Sequence, residues 1–227
     1  IGSQLPGGSS SKIMALSEII SVGPETIIFS IIALFPITIL IATLSLAVAG
    51  LAKSYKEAQN YLERSLEISR KIGSLRNQAA ALDNQSNVYY RLGEYEKALS
   101  YALESIKLSQ VVRSKVYEAE SLNSAGDAYA ALCKPEKALK HYRMALELSS
   151  KIGHRYEKAE AMVRIGMLHL KHDDHKAAEK ILHPALSLAQ EAGISRLEYQ
   201  IYKALSELSQ AQGNDKLALQ YYKSYHD

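Results

Sequence analysis

Residues 75–112 read LRNQAAALDNQSNVYYRLGEYEKALSYALESIKLSQVV. In the first half of this stretch, apolar residues or alanine recur with the spacing of an amphipathic helix, as at Ala79 and Leu82. Leu92-Gly93-Glu94 then interrupts the pattern, and its glycine suits the φ > 0 conformation that ends a helix. The second half places another apolar stripe on one face, from Tyr95 to Leu108. The stretch therefore predicts two antiparallel helices joined by a tight turn.

The same pattern recurs along the chain at an interval of 40 residues. One register of the repeat holds alanine, at Ala58, Ala98, Ala138, Ala178 and Ala218. Another register holds a small residue, at Ser86, Gly126, Gly166 and Ser206. A repeat of this length indicates one supersecondary unit, each copy of which buries its apolar face only against its neighbours. Because such a solenoid offers a long lined surface, the pattern favours a binding protein over an enzyme.

Glycine in the middle of a predicted helix needs an explanation. Gly126 and Gly166 each lower helix propensity by roughly 1 kcal/mol relative to alanine. Close approach of two helix backbones accounts for them, and Ala98 with its equivalents is then expected to be the matching small residue on the partner helix.

The motifs in two of the units resemble the tetratricopeptide repeat. One unit carries Ala-Leu-x-Asn-x-Ser-x-x-Tyr over residues 81–89 and Leu-Gly-x-Tyr-x-x-Ala over residues 92–98. The next carries Ser-Leu-Asn-Ser-Ala-Gly-Asp-Ala-Tyr over residues 121–129 and Pro-Glu-Lys-Ala over residues 135–138. The 40-residue unit is similar to the longer units of Pins-type adaptors and of bacterial sensory proteins upstream of kinase or diguanylate cyclase domains. The resemblance covers residues 54–227.

The resemblance implies an all-α fold, a right-handed superhelical solenoid of antiparallel helix pairs. Individual copies depart from the motif, since His169 replaces the usual tyrosine, and Cys133 and Asp173 stand where glycine ends the helix in other units. Helices are expected near residues 54–72, 75–91, 94–112, 115–131, 134–152, 155–171, 174–192, 195–211 and 214–227.

In tetratricopeptide arrays, fixed positions on the first helix of each unit line the concave surface. The resemblance therefore implies a set of partner-binding side chains in this chain. The set is Asp83, Asn87, Tyr90, Arg91, Glu120, Asn123, Asp127, Met167, Lys171, Lys203 and Glu207. The amides of Asn87 and Asn123 can both donate to and accept from a peptide backbone. Tyr90 and Met167 suit contact with an adaptable partner surface.

The expected function is a non-catalytic protein–protein interaction module that binds a peptide or protein segment on the concave face. The alternative is a sensory or regulatory input region of a larger signalling protein, whose kinase or diguanylate cyclase output domain is missing from this chain. Arrays that clamp the acidic C-terminal tails of chaperones use lysine at the position of Asp83, so a clamp of that kind is not expected.

The sequence offers no catalytic or cofactor-binding pattern. It has no Gly-rich phosphate loop, no Ser-His-Asp arrangement and no paired-carboxylate motif. The metal-like cluster between His169 and His175 is explained by a buried ring position and a polar inter-helix turn, so no metal site is expected. Cys133 has no histidine at nucleophile spacing. We expect neither an enzyme nor a cofactor.

Composition excludes other classes of protein. A hydrophobic content of 47%, with 22% charged residues and five prolines, argues against disorder. The net charge of +3 arises from both signs alternating along the helices, and no basic run with interleaved aromatic residues occurs. Nucleic acid is therefore not an expected partner. A single cysteine excludes an intrachain disulfide.

The N-terminal part differs in character from the repeat array expected at residues 53–227. Residues 1–13 are expected to be a flexible leader or tag remnant, followed by an apolar segment at 14–52. Residues 26–52 carry no charge. This segment is long enough for a transmembrane anchor that would leave the repeats in the cytoplasm. Alternatively, the 40-residue register makes residues 36–52 the first helix of a degenerate repeat with a preceding cap. The sequence leaves both options open; the expected location is cytoplasmic, with a membrane tether under the first.

The last predicted helix has no following helix to cover it. Its apolar and aromatic residues fall on neighbouring turns, at Leu217, Ala218, Tyr221, Tyr222 and Tyr225. Since terminal units of a solenoid normally carry a polar outer face, we expect either a native chain that continues past Asp227 or contact with another copy. Self-association through this helix or through the apolar N-terminal segment is thus an expected interaction.

Overall fold

The computed structural model describes residues 59–226 together with positions 45, 50, 53, 54, 56 and 57. Contacts divide the chain into two compact units, Ile1–Ser54 and Tyr55–Asp227, and the fold described below is that of the second. The predictions for the leader at 1–13 and for the apolar segment at 14–52, including an anchor at 26–52, lie outside the described residues apart from those isolated positions.

The described part of the second unit consists of nine consecutive helices and contains no strand. Helix α1 is seen over 59–71. The others are α2 (Leu75–Arg91), α3 (Tyr95–Val111), α4 (Lys115–Ala131), α5 (Pro135–Ile152), α6 (Arg155–Lys171), α7 (His175–Ala192), α8 (Ser195–Ala211) and α9 (Asp215–His226). The predicted all-α array of helix pairs is confirmed. The bounds of α2, α4, α6 and α8 agree with the sequence pattern, and α3, α5 and α7 begin one residue later because Glu94, Lys134 and Asp174 are their N-caps.

Each inter-helix turn holds one residue in the left-handed region of backbone space. These residues follow one another at intervals of twenty, at Gly73, Gly93, Arg113, Cys133, Gly153, Asp173, Gly193 and Gly213. The amide of the residue after each left-handed residue closes the turn, as where the Ser74 N–H donates to the Ser69 carbonyl at 3.0 Å. Three of the eight positions lack glycine, and an L-residue in this conformation costs about 1–2 kcal/mol. Fold geometry at these turns therefore overrides the preference of the side chain.

The Arg113 turn allows a direct test of this strain. Arg113 has φ 55°, so Arg113→Gly is expected to raise the free energy of unfolding by roughly 1 kcal/mol, since glycine adopts φ > 0 without a steric penalty. Arg113→Ala removes the same charge but keeps the strain, and should give no comparable gain. Urea denaturation of the three proteins measures the difference. Equal stabilisation by glycine and alanine would show that charge, not backbone conformation, was responsible.

The small residues in the middle of the first helix of each unit let the second helix approach closely. A Cβ at Gly166 would lie 2.5 Å from Leu182 Cδ2, and a Cβ at Gly126 would overlap the Tyr142 ring. The atoms nearest the glycines belong to these large side chains and not to the repeated alanines, whereas Ser86 at the same register donates to the Ala98 carbonyl at 2.8 Å. In the unit that has Ser86 instead of glycine, Ala102 occupies the register of Tyr142 and Leu182, and the last unit combines Ser206 with Tyr222. Residue size is thus exchanged in three of the four units.

This exchange predicts an energetic coupling between Gly166 and Leu182. Gly166→Ala alone should lower the free energy of unfolding by about 1–3 kcal/mol because of overpacking. In a Leu182→Ala background the overlap is gone, so the same change should be neutral or stabilising through helix propensity. A double-mutant cycle in urea measures the coupling energy. An equal effect of Gly166→Ala in both backgrounds would contradict the proposed contact.

The first helices of successive units form the inner layer of the array. Helices α2, α4, α6 and α8 each contact the next member of this series, in addition to the helices that precede and follow them in the chain. The backbones of α3, α5, α7 and α9 do not approach one another in this way, although the rings of His183 on α7 and Tyr221 on α9 lie 6.5 Å apart. The layer of first helices is therefore the tighter side of the array, and we call it the inner layer.

Two further expectations concern surfaces. Among the described residues, no helix has both the length and the apolar content needed to cross a bilayer. On α9, Leu219 and Tyr222 are exposed, while the Tyr221 ring lies 6.2 Å from that of Tyr202. The helix is thus partly anchored on α8, and its self-association stays a prediction.

A groove on the inner helices

All eleven side chains of the predicted partner-binding set lie on the inner helices α2, α4, α6 and α8. They differ in accessibility. The exposed members are Asn87, Tyr90, Arg91, Met167, Lys171, Lys203 and Glu207, and the half-buried members are Asp83, Glu120 and Asp127. Asn123 is only 2% exposed. The fold thus collects the predicted set on one layer, and packing between the helices then removes some of its members from solvent.

One ion-pair network joins α4, α6 and α8 across this layer. Arg164 Nε lies 3.0 Å from both carboxylate oxygens of Asp127 on α4. Its Nη1 lies 2.9 Å from Glu160 Oε1, one turn earlier on α6. Glu160 also pairs with Arg196 of α8 at 3.2 Å. We call Asp127, Glu160, Arg164 and Arg196 the Arg164 network. It fixes the relative positions of three consecutive inner helices.

The Arg164 network is internally satisfied. Tyr142 of α5 donates its hydroxyl to Asp127 Oδ1 at 2.7 Å. Although burial disfavours a charged guanidinium, Asp127 and Glu160 raise the pKa of Arg164 above its usual range. Burial, followed by the charge of Asp127, raises the pKa of the Tyr142 hydroxyl. The network therefore keeps a permanently charged arginine paired with two carboxylates, and a tyrosine remains a hydrogen-bond donor.

Beside this network lies a group that is short of hydrogen-bond donors. We call Asp83 of α2, Glu120 and Asn123 of α4, and Glu157 of α6 the carboxyl cluster. Burial, together with Asp83 and Glu160, raises the pKa of Glu120 to about 7. Burial, together with Glu160 and Glu120, raises the pKa of Glu157 to about 8. Burial also raises the pKa of Asp83. Three carboxyl groups from three helices thus disfavour one another's ionisation.

The polar atoms of the carboxyl cluster are only partly paired. Asn123 Nδ2 donates to Glu157 Oε2 at 3.3 Å, and Asn87 Nδ2 donates to Asp83 Oδ2 at 3.1 Å. Asp83 Oδ1 and Asn123 Oδ1 are buried and accept no hydrogen bond. A buried acceptor without a partner is energetically unfavourable. Both unpaired atoms are acceptors. The hydroxyls of Ser121 and Ser124 lower the pKa of Asp83 against the larger effect of burial, and a protonated Glu120 or Glu157 can donate, so donors become short once these two glutamates ionise.

Exposed apolar side chains accompany these polar groups on the inner layer. Tyr90 is 38% exposed, and its hydroxyl lies close enough to Asp127 for that carboxylate to raise its pKa, after the larger effect of burial. Met167 on α6 is 49% exposed. Aromatic and methionine side chains exposed beside buried polar groups are typical of binding surfaces.

Sequence reasoning missed Glu157, Arg164, Arg196 and Tyr142. Arg164 was not recognised because it directly follows the apolar run Ala161-Met162-Val163 on α6, where hydrophobic periodicity indicates core positions. The sequence did contain a signal. Glu157 and Arg164 are charged at repeat positions where other units have neutral residues, namely Asn77 and Tyr117 for Glu157, and Asn84 and Ser124 for Arg164.

The histidine-rich turn between α6 and α7 is occupied by local interactions. His169 Nδ1 lies 3.2 Å from Asp174 Oδ2, and His175 Nε2 lies 3.8 Å from Asp173 Oδ1. Within the described residues, no group of three or more His, Cys, Asp and Glu side chains has an arrangement that could hold a metal ion. Cys133 is exposed in its turn.

Comparison with known proteins identifies the family. The tetratricopeptide repeat family model matches residues 42–111, 78–151 and 117–191. The chain therefore belongs to the tetratricopeptide repeat family, whose members are generally protein-binding modules. No curated protein matches the sequence.

Solved structures share the fold at low sequence identity. BtubC (BKLC) from P. vanneervenii matches with a TM-score of 0.64 and 18% identity, over 86% of this chain and 83% of that protein. A Rap protein complexed with competence and sporulation factor matches with a TM-score of 0.70 and 18% identity, over 79% and 50%. A signal transduction ATPase with numerous domains and a tetratricopeptide repeat sensor, from Pyrococcus horikoshii, matches with a TM-score of 0.61 and 23% identity, over 76% and 27%. At these identities the similarity establishes the fold alone.

The raised pKa of Glu157 predicts a pH-dependent stability. The folded protein holds this proton up to about pH 8, whereas the unfolded chain releases it near 4.5, so the stabilisation is complete below pH 4.5 and is lost as the pH rises to 8. Glu157→Gln, which stays neutral, should therefore be more stable than the wild type at pH 8 by a few kcal/mol, since each pKa unit corresponds to about 1.4 kcal/mol.

The difference between the two proteins should vanish near pH 4, and urea denaturation across pH 4–9 measures it. Glu147→Gln is the control, because Glu147 is exposed and paired with Lys151 at 2.6 Å, an arrangement that contributes little to stability. A wild type and Glu157→Gln variant with parallel pH profiles would contradict the assignment.

Proposed function

We propose that this chain is a non-catalytic interaction module that binds a peptide or protein segment in the groove of its inner helices. The observation that supports this most is the exposure of Tyr90 and Met167 beside polar side chains of the inner helices. Large apolar side chains left in water beside buried polar groups gain free energy when a partner covers them. Asn87 and Lys171, also exposed on this layer, supply polar contacts to an extended or helical segment.

The family supports this proposal, since tetratricopeptide repeats are generally protein-binding modules. The Rap protein of the same fold was solved with competence and sporulation factor bound. At 18% identity the contacts of that peptide are not assigned to residues of the present chain. The proposed partner is therefore described only by the side chains of the inner helices.

A second candidate function is the sensory input region of a larger signalling protein. The similarity that favours it is the ATPase from Pyrococcus horikoshii, in which tetratricopeptide repeats form the sensor. Pins-type adaptors, which the 40-residue units resemble, represent the stand-alone alternative. In both cases the groove binds a segment, and the two functions differ in what the binding controls. Sequencing the gene past the codon for Asp227 separates them, because a catalytic output domain in the same reading frame would indicate the sensor.

Two methionines provide a matched test of the groove. Met167 on the inner helix α6 and Met144 on the outer helix α5 are 49% and 42% exposed. Peptides selected from a phage-displayed library of random dodecapeptides on the full chain are synthesised, labelled and titrated by fluorescence polarisation. Met167→Ala and Tyr90→Ala should each weaken binding by about 1–2 kcal/mol, roughly 5- to 30-fold.

Met144→Ala should leave the affinity unchanged, because its side chain lies on the outer layer. Selected peptides that respond to Met144→Ala and not to Met167→Ala or Tyr90→Ala would move the binding surface to the outer helices and contradict the proposal. Circular dichroism of each variant verifies that the helices are retained.

A further inference from the structure

The carboxyl cluster goes beyond a general protein-binding surface. We infer that Asp83, Glu120, Asn123 and Glu157 form a subsite for one basic side chain, lysine or arginine, of the segment bound in the groove. This inference rests on the proposed function, because the cation is supplied by the bound segment. It names the chemistry of the partner, a peptide with a basic anchor residue.

The first argument is the chemistry of the unpaired atoms. Asn123 is 98% buried, yet its Oδ1 accepts no hydrogen bond, and Asp83 Oδ1 is in the same condition. An ammonium or guanidinium group brings three to five N–H donors and accepts none, so it matches a site in which only acceptors are left over. A ligand carboxylate would not match it, because that group only adds acceptors, and a hydroxyl would supply one donor without a compensating charge.

The second argument is charge. Glu120 is surrounded by acidic groups, since burial, Asp83 and Glu160 all raise its pKa and no basic group is among the causes. Arg164 acts on Asp83 and Glu157, but its guanidinium is already bonded to Asp127 and Glu160. The neighbouring network therefore does not supply the missing cation. A cation from outside would replace carboxyl–carboxyl repulsion with charge-assisted hydrogen bonds.

The third argument is position. Glu120 and Asp83 are half-buried on the inner layer and form the rim of the cluster, while Asn123 and Glu157 form its buried floor. The exposed Tyr90 and Asn87 follow Asp83 by two turns and one turn of α2. A segment that contacts Tyr90 and Asn87 thus lies one to two helical turns from the half-buried Asp83. The geometry of the described carboxyls does not form a metal site.

Binding of a cation is linked to proton release. A basic side chain binds the ionised carboxylates, so the affinity should rise as the pH passes through about 7 for Glu120 and about 8 for Glu157. The charged and titratable groups that face the cluster are Asp83 and Tyr90 of α2, Glu120 and Asp127 of α4, Tyr142 of α5, Glu157, Glu160 and Arg164 of α6, and Arg196 of α8.

The test uses the peptides selected above that lose affinity with Met167→Ala, which are the groove binders. Each lysine in them is replaced by norleucine and each arginine by citrulline, one at a time. One such replacement should weaken binding to the wild type at least about tenfold at pH 8. The same replacement should have less than about a threefold effect on Glu120→Gln and on Asp83→Asn, because the coupling partner is gone.

Glu147→Gln is the control, because Glu147 is an exposed carboxyl of the outer helix α5 that belongs neither to the cluster nor to the predicted partner-binding set. This variant should retain the full discrimination between arginine and citrulline. Wild-type affinity for the basic peptide should rise between pH 6 and pH 8, and this rise should shrink in Glu120→Gln. Thermal unfolding at pH 8 checks folding, since removal of a buried acid with a raised pKa should not lower the melting temperature.

Three outcomes would overturn the inference. Groove-binding peptides that tolerate every neutral replacement would exclude the basic anchor and leave the proposed function intact. Equal loss of discrimination in Glu147→Gln and Glu120→Gln would assign the effect to the overall charge of the protein. If no selected peptide responds to Met167→Ala or Tyr90→Ala, the proposed function fails and the subsite fails with it.

Discussion

The regular spacing of the left-handed turn residues is the constraint on which the whole array depends. Successive helices follow one another at a constant interval because a turn residue with positive φ recurs every twenty residues. One added residue would rotate the next helix face by about 100° and take its alanines out of the interface. The chain keeps this spacing even at Arg113, Cys133 and Asp173, where the side chain disfavours the conformation. The chain therefore keeps a constant spacing between its turns although three of them carry backbone strain.

This register gives the inner layer its chemistry. Because α2, α4 and α6 lie side by side, side chains about forty residues apart in sequence become neighbours. Arg164 and Asp127 meet in this way across 37 positions. Buried ion pairs contribute less to stability than to a defined arrangement, since desolvation offsets most of the attraction. The Arg164 network thus aligns the inner helices.

The carboxyl cluster differs from the Arg164 network in that its polar atoms are not all paired. Glu157 is 1% exposed and Asn123 2% exposed, but the acceptors outnumber the donors around them. Natural proteins tolerate such unfavourable sites where a function requires them, and stabilise the fold elsewhere. In this chain the compensation comes from the alanine-rich interfaces, in which Ala98, Ala138 and Ala178 are completely buried. An unfavourable polar site inside a regular, well-packed array is consistent with a binding role for the inner layer.

The sequence by itself determined the architecture, because apolar periodicity and turn residues are local properties that recur in every 40-residue unit. It also placed Asn87, Tyr90 and Met167 on the inner layer, since a repeat fixes which face of a helix a register position occupies. Only the tertiary structure decided which polar residues are buried and paired. Glu157 and Asn123 contact each other across 34 positions, and no local pattern records that two helices bring them together. Burial and charge pairing are properties of neighbouring units, so they follow from the packed array and not from any single repeat.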